Sequence, residues 1–296
     1  MRLRTLAAAM PLALGLAHPA AARDPLALEP SSPWEIDYAA DSCALRRTFG
    51  EGQQQTQLEM RRFAPGLGLQ TTVASKVRMT KRSIRFRFGG EDEWTTVENP
   101  LFAELDDDFG GVIIRHSLFE PPLDEDAEPE EWRQFYIDND VSAMEANAAA
   151  RFENLTVMRA FKDDLTLRTG PLKAPILALN RCIDDLMTHW GIDVEAHKTL
   201  TRSAQPVDSA WAAGMVRYPP KMILQRAPGL VNVRLAIDET GRATECHIQM
   251  TLSDPEFEES SCADIQRTFE FEPALDKDGK PMKSYYVTTV IFSGGI

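Results

Sequence analysis

The sequence predicts an α+β protein. A β-rich N-terminal domain with a helix at its C-terminal end precedes a small domain, in which a helix packs on an antiparallel three-stranded sheet. Three observations carry this expectation. Apolar residues alternate with polar ones at period two through most of the chain, two separate stretches carry apolar residues at helical spacing, and four cysteines are distributed so that each helix holds one.

The chain opens with Arg2 and Arg4, runs through the apolar stretch Leu6 to Ala17 and reaches Ala20-Ala21-Ala22 before its first acid, Asp24. That order is the layout of a secretory signal peptide over residues 1–22, cut after Ala22. The apolar stretch falls well short of the ~20 residues of a spanning helix, and Pro11 interrupts it. No cysteine beside the alanines offers a lipid site and no later segment approaches a spanning length. The expectation is a periplasmic protein with no stable membrane insertion after cleavage.

The formal charge is −13, and losing Arg2 and Arg4 with the peptide takes it to −15. Such a balance disfavours nucleic acid and anionic lipid surfaces, which offer no counter-charge. On an exported chain the even set Cys43, Cys182, Cys246 and Cys262 reads as disulfides, with three pairings open. The absence of any C-x-x-C unit argues against zinc and thioredoxin-like chemistry.

From Trp34 to Ile114 short strands are expected. Leu58/Met60, Leu67/Leu69/Thr71/Val73 and Ile84/Phe86/Phe88 alternate, and Pro65-Gly66 and Gly89-Gly90 punctuate them. The acid-rich stretches Glu91 to Asp108 and Glu120 to Glu131 read as solvated loops, since the spaced oxygens and turn glycine of a calcium loop are missing. Val141 to Arg151 is an expected helix, and Leu155/Val157 and Leu165/Leu167 mark two strands. Ala174 to Trp190 then carries Ile176, Leu179, Cys182, Ile183 and Leu186 on one helical stripe. Cys182 on that face is placed to staple the helix to Cys43 in an early strand, closing a domain over residues 23–190. Residues 191–211 are weakly periodic and read as a linker, leaving 212–296 as the second domain.

In the second domain Val231, Val233, Leu235 and Ile237 face one way while Asn232, Arg234 and Ala236 face the other, which describes a strand with one face on a core. Asp238 to Gly241 supplies the turn and Cys246, Ile248 and Met250 the return strand. Asp254-Pro255-Glu256 is a helix start, combining a capping carboxylate, proline at the first position and an acid at the positive end of the dipole. Cys246 on the strand and Cys262 on the helix stripe make the natural bridge. Asp276 to Pro281 is a second turn, and Ser284 to Phe292 a last strand.

Tyr218-Pro219, Gly229 opening an alternating strand, the Asp238 to Gly241 turn, Phe271-x-Pro273-Ala274 and Asp278-Gly279-Lys280-Pro281 stand in the order and spacing of the TonB C-terminal domain, which residues 212–296 therefore resemble. The family's usual Ser-Ser-Gly turn and Leu-Asp helix start are replaced by Thr251-Leu252-Ser253 and Phe257-Glu258. The membrane anchor and long proline-rich spacer of TonB proper are missing.

The resemblance implies a module that pairs a sheet edge with an extended peptide of an outer-membrane transporter or other envelope protein. The expected edge is Tyr285, Tyr286, Val287, Thr288, Thr289, Val290 and Ile291, where unpaired backbone groups await a partner strand and where two copies of the chain have the means to pair as a homodimer. Tyr286, Thr288 and Val290 are expected to select neighbours. An anchored TonB energy transducer is one alternative, and a periplasmic enzyme with a hydrolase-like first domain is another.

Enzymatic motifs are wanting. His116, His189, His197 and His247 have no ligand spacing, there is no G-x-S-x-G elbow or phosphate-cradling loop, and Asp106-Asp107-Asp108 offers acids without distinct environments. No catalytic residue, metal or cofactor is expected.

Overall fold

The computed structural model describes residues 24–90, 93–105, 108–124, 126–208, 216–252 and 254–292. The expected signal peptide lies outside the described residues.

The N-terminal region begins with β1 (Leu26–Leu28), β2 (Glu35–Ala39), β3 (Ser42–Phe49), β4 (Thr56–Arg62) and β5 (Leu69–Ser75). It continues with β6 (Ile84–Phe88), β7 (Thr95–Val97), β8 (Leu101–Glu104) and β9 (Gly110–His116). Helices α1 (Pro129–Asp138) and α2 (Val141–Ala149), strands β10 (Leu155–Met158) and β11 (Leu165–Leu167), and helix α3 (Lys173–His189) complete it. An antiparallel sheet of order β2-β3-β4-β5-β9-β8 and a second sheet of order β1-β11-β10-β6-β7 share one core. Leu45, Leu58 and Met60 enter that core from the first sheet, Phe86, Leu155 and Leu165 from the second, and Ile176, Leu179 and Ile183 from α3.

Period-two alternation puts every second side chain inside, which is why these strands were legible one by one. The acid-rich stretches are more ordered than loops: β7 and β8 form inside the first, and α1 starts at the end of the second. The start of α1 is explained by Pro129, whose missing N–H is no loss at the first position, and by the Glu131 carboxylate accepting from the Glu128 N–H at 2.9 Å.

Two bonds hold the helices to the first sheet. The Sγ atoms of Cys43 and Cys182 are 1.96 Å apart, joining β3 to α3 across 139 residues. Cys43 stands opposite Arg62 in the β3–β4 ladder, and Arg62 meets Glu145 of α2 at 2.6 Å and donates to Asn180 of α3. Arg62 and Glu145 are only 3% and 1% exposed, so either charge alone there would be severely unfavourable.

The C-terminal region runs through α4 (Val194–Lys198), β12 (Gln205–Pro206), α5 (Pro220–Gln225), β13 (Gly229–Ile237), β14 (Ala243–Thr251) and α6 (Pro255–Thr268). Short strands β15 (Phe271–Glu272), β16 (Ala274–Leu275) and β17 (Pro281–Met282) lead to β18 (Ser284–Phe292). Its sheet is antiparallel with order β14-β13-β18, and α6 packs on β13 and β14. Val231, Val233, Leu235, Phe257 and Ile265 form a second core, separate from the first. Cys246 and Cys262 are bridged at 1.97 Å, tying β14 to α6.

At the head of the hairpin, Asp238 accepts from the backbone of Thr240 and Arg242. Gly241 has φ +82°, and a Cβ there would lie 2.0 Å from the Phe271 carbonyl oxygen, so only glycine fits.

Two readings of the sequence need correction. Residues 191–211, read as a weakly ordered linker, contain α4 and β12. β12 pairs with β15, and Leu200 and Ala204 are buried in the C-terminal core. Asp193 capping Ala196 at 3.0 Å starts α4, and five residues are too few for periodicity to show.

The second correction concerns β13, read as having one face on a core, which is buried on both. Asn232 is 1% and Arg234 7% exposed because the N-terminal region covers their face and supplies their partners. Arg234 meets Asp41 at 2.8 Å and lies 4.3 Å from the Trp190 ring, and the Asn232 amide donates to Gln70 at 3.3 Å.

Candidate functional site

The C-terminal sheet has two outer strands, and they differ. β14 skips register twice against β13, at Gln249 and Thr244, and carries Glu245 and His247. The bulge at Gln249 turns its amide toward the N-terminal region, where it donates to the carbonyls of Asp41 and Phe63, both at 2.8 Å. Met250, expected on the core-facing set, accordingly meets Gln70 of the N-terminal region instead. Bulges and charges are what protect an edge from pairing with another chain.

β18 has neither. It pairs with β13 without a register shift from Ser284 opposite Ile237 to Phe292 opposite Gly229, and its residues are uncharged. Among the described residues no strand pairs with its other side.

The side chains of β18 alternate between two environments. Tyr286, with its ring 5.3 Å from Phe271, and Val290 pack on the C-terminal core. Both are half-buried, and Tyr286 also lines the cleft described below. Phe292, next in the alternating set, sits against Tyr218 and Phe257. Tyr285 and Thr289 face the other way, where Thr289 donates to Asn232 at 2.7 Å and Tyr285 stands 5.7 Å from Trp190. Val287 and Thr288 are half-buried, and Ile291 is exposed.

At its first turn the strand is flanked by α4. The His197 ring stacks on Tyr285 at 5.8 Å and meets the Ser284 hydroxyl at 3.0 Å. Burial holds the Tyr285 hydroxyl up to about 12 and pushes the imidazole of His197 down.

A cleft of about 560 Å³ opens along Ser284 to Val287. Its opposite wall is built by the Pro65-Gly66 turn, Tyr136 of α1 and Asp184 and Met187 of α3. Tyr136, His197, Lys198 and Leu200 continue into a second recess of about 450 Å³ beneath α1. The expected loop Glu120 to Glu131 overlaps only the first turn of α1, and residues 132–138, with Tyr136, carry no sequence expectation. The signal was present in Pro129-Glu130-Glu131, which has the same proline-then-acid form as the start of α6.

The histidines are scattered. His116 is packed between Phe86 and Phe88 and bonded to Thr71 at 2.7 Å, and burial lowers its imidazole to about 4. His197 lies at the cleft, and His247 lies beside Glu245. Of the three adjacent aspartates, Asp106 and Asp107 lie outside the described residues, while Asp108 stands 3.7 Å from Lys76. Among the described residues no group of histidine, cysteine and acid side chains is arranged to hold a metal, and no helix is long and apolar enough to cross a membrane.

No curated protein and no solved structure matches the chain. Residues 215–293 match the family model described as Gram-negative bacterial TonB protein C-terminal. That match covers the last quarter of the chain, and over it the C-terminal region is similar to the TonB C-terminal domain.

Proposed function

We propose that the chain is a periplasmic binding protein whose C-terminal domain adds an extended peptide of an outer-membrane transporter, or of another envelope protein, as a fourth strand beside β18. A signal peptide over 1–22 precedes a first domain over 23–190, and the second domain, 212–296, takes in Leu200 to Pro206 of the segment between them. The observation that carries the reading is the contrast between the edges: β18 is uncharged, in continuous register and, among the described residues, unpaired on one side, whereas β14 is bulged and charged. A free ladder of backbone groups satisfies its hydrogen bonds best with another strand.

The test is a titration of the exported chain with N-terminal peptides of outer-membrane transporters. Trp190, against Tyr285, provides an intrinsic fluorescence signal. Binding is expected for some peptides and is lost when alternate backbone amides of the peptide are N-methylated. Equal binding of methylated and unmethylated peptides, or binding of none, overturns strand addition.

A further inference from the structure

The cleft along β18 is not made by the TonB-like region alone. One wall is Ser284 to Val287 of β18, and the other is Tyr136, Asp184 and Met187 of the N-terminal region, with Lys198 and Leu200 also in the lining. From this we infer that the N-terminal domain completes the peptide site, and that the occupant is an extended peptide in which an apolar side chain and a lysine or arginine follow the segment paired with β18. The inference rests on the strand-addition reading and names its partner's chemistry.

Geometry sets the first half of this requirement. A strand laid beside Ser284 to Val287 runs along the cleft, and the recess under α1 continues from it through Tyr136 and Leu200. Tyr136 and Ile137 are 41% and 38% exposed there, a pair of large side chains that leave apolar surface open among the described residues. An apolar residue of the peptide placed on them removes that surface from water.

Charge sets the second half. The cations around the cleft are already engaged: Lys198 with Glu195 at 2.9 Å, Arg133 with Glu130, and Arg202 with Glu272 at 3.1 Å. Asp184 is different. It faces the cleft, and among the described residues it has no salt bridge. Partial burial raises its proton affinity, Lys198 pulls the other way, and Asp185, Glu195 and Asp140, each a weaker influence than Lys198, repel its charge. A guanidinium or ammonium group arriving with the peptide relieves that repulsion, and the acidic chain as a whole, at −13, steers basic segments toward it.

The experiment uses the full exported chain and the tightest transporter peptide from the titration above. The peptide is made in three versions, with lysine, alanine or glutamate at successive positions after the strand-pairing segment. The lysine version is expected to bind tightest at one position, and Asp184→Asn to weaken it by roughly threefold to tenfold at low salt, abolishing the preference over alanine. Asp185→Asn, next to it but outside the cleft lining, leaves the preference intact. Tyr136→Ala weakens all three versions without changing thermal unfolding.

Equal affinities for the three versions, unchanged by Asp184→Asn and Tyr136→Ala while N-methylation still abolishes binding, overturn the composite site and leave strand addition standing. A chain that sediments as a dimer and excludes every peptide overturns both, because a second copy then occupies β18.

Discussion

The two outer strands of the C-terminal sheet pair with the same central strand, yet they meet solvent in different states. β14 is irregular: each bulge breaks the ladder, one of them sends Gln249 into the N-terminal region, and a disulfide ties the strand to α6. β18 stays flat, pairs with β13 along its whole length, and opens on a cleft. An edge is made inert by irregularity and charge, and it stays receptive only where both are withheld. β14 carries Glu245 and His247 and no Phe, Tyr or Trp, whereas β18 is uncharged and holds Tyr285, Tyr286 and Phe292, so the charge difference between the edges lies in the sequence while the bulges and the cleft come from the fold.

The largest expected effect comes from removing the constraint on the inert edge. Replacing Cys246 and Cys262 together by alanine opens a loop of sequence separation 16 and is expected to lower stability by about 3 kcal/mol in denaturant unfolding. Peptide affinity at β18 should change by no more than roughly twofold, since distant sites act independently. A collapse of peptide binding in a variant that remains folded would move the site to β14.

Next in size is Arg234→Ala. Arg234 and Asp41 have side chains 9% and 22% exposed, and the substitution strands a partly buried carboxylate as well as removing the guanidinium from Trp190. A loss of about 2 kcal/mol is expected, with faster proteolysis between the two cores. No loss would mean that the N-terminal region does not cover the sheet in solution.

The smallest effect is the pH dependence that His197 gives the β18 side. Burial depresses the imidazole of His197 in the folded state below its ordinary value of 6.5, so the unfolded chain takes up the proton first. The stability that His197 contributes is therefore present above pH 6.5 and falls as the pH drops below it. The protection of β18 amides, measured against their intrinsic exchange rates, should fall from pH 7 to pH 5 more than that of β14 amides, and His197→Gln should remove the difference. His116, held down to about 4, adds its own loss over the same acid range, but in the first core.

Much of the C-terminal region was legible because its signals are local. Alternation in Val231 to Ile237, the Asp254-Pro255-Glu256 start of α6 and the Asp238 to Gly241 turn each lie within a few residues of the structure they produce. α1 and α4 were missed for opposite reasons. The acids around Pro129 looked like a solvated run although they cap a helix, and α4 is a single short turn whose cap, Asp193, lies in a segment without periodicity.

The candidate site was legible as a strand but not as a surface. Which faces of Tyr285, Tyr286 and Val290 are taken depends on Trp190, Phe271 and the second core, none of which adjoins them in sequence.

By itself, then, the sequence determined the longer strands, the cap of α6, the Asp238 to Gly241 turn and the resemblance of its last quarter, because these follow from side-chain period and backbone preference over short spans. Only the tertiary structure decided that Asn232 and Arg234 are buried, through partners 162 and 193 residues away, and that the cleft beside β18 has a wall from the N-terminal region. A polar residue on an alternating strand reads as solvent-facing until its distant partner is known, since burial depends on what the fold brings against it and not on the residue alone.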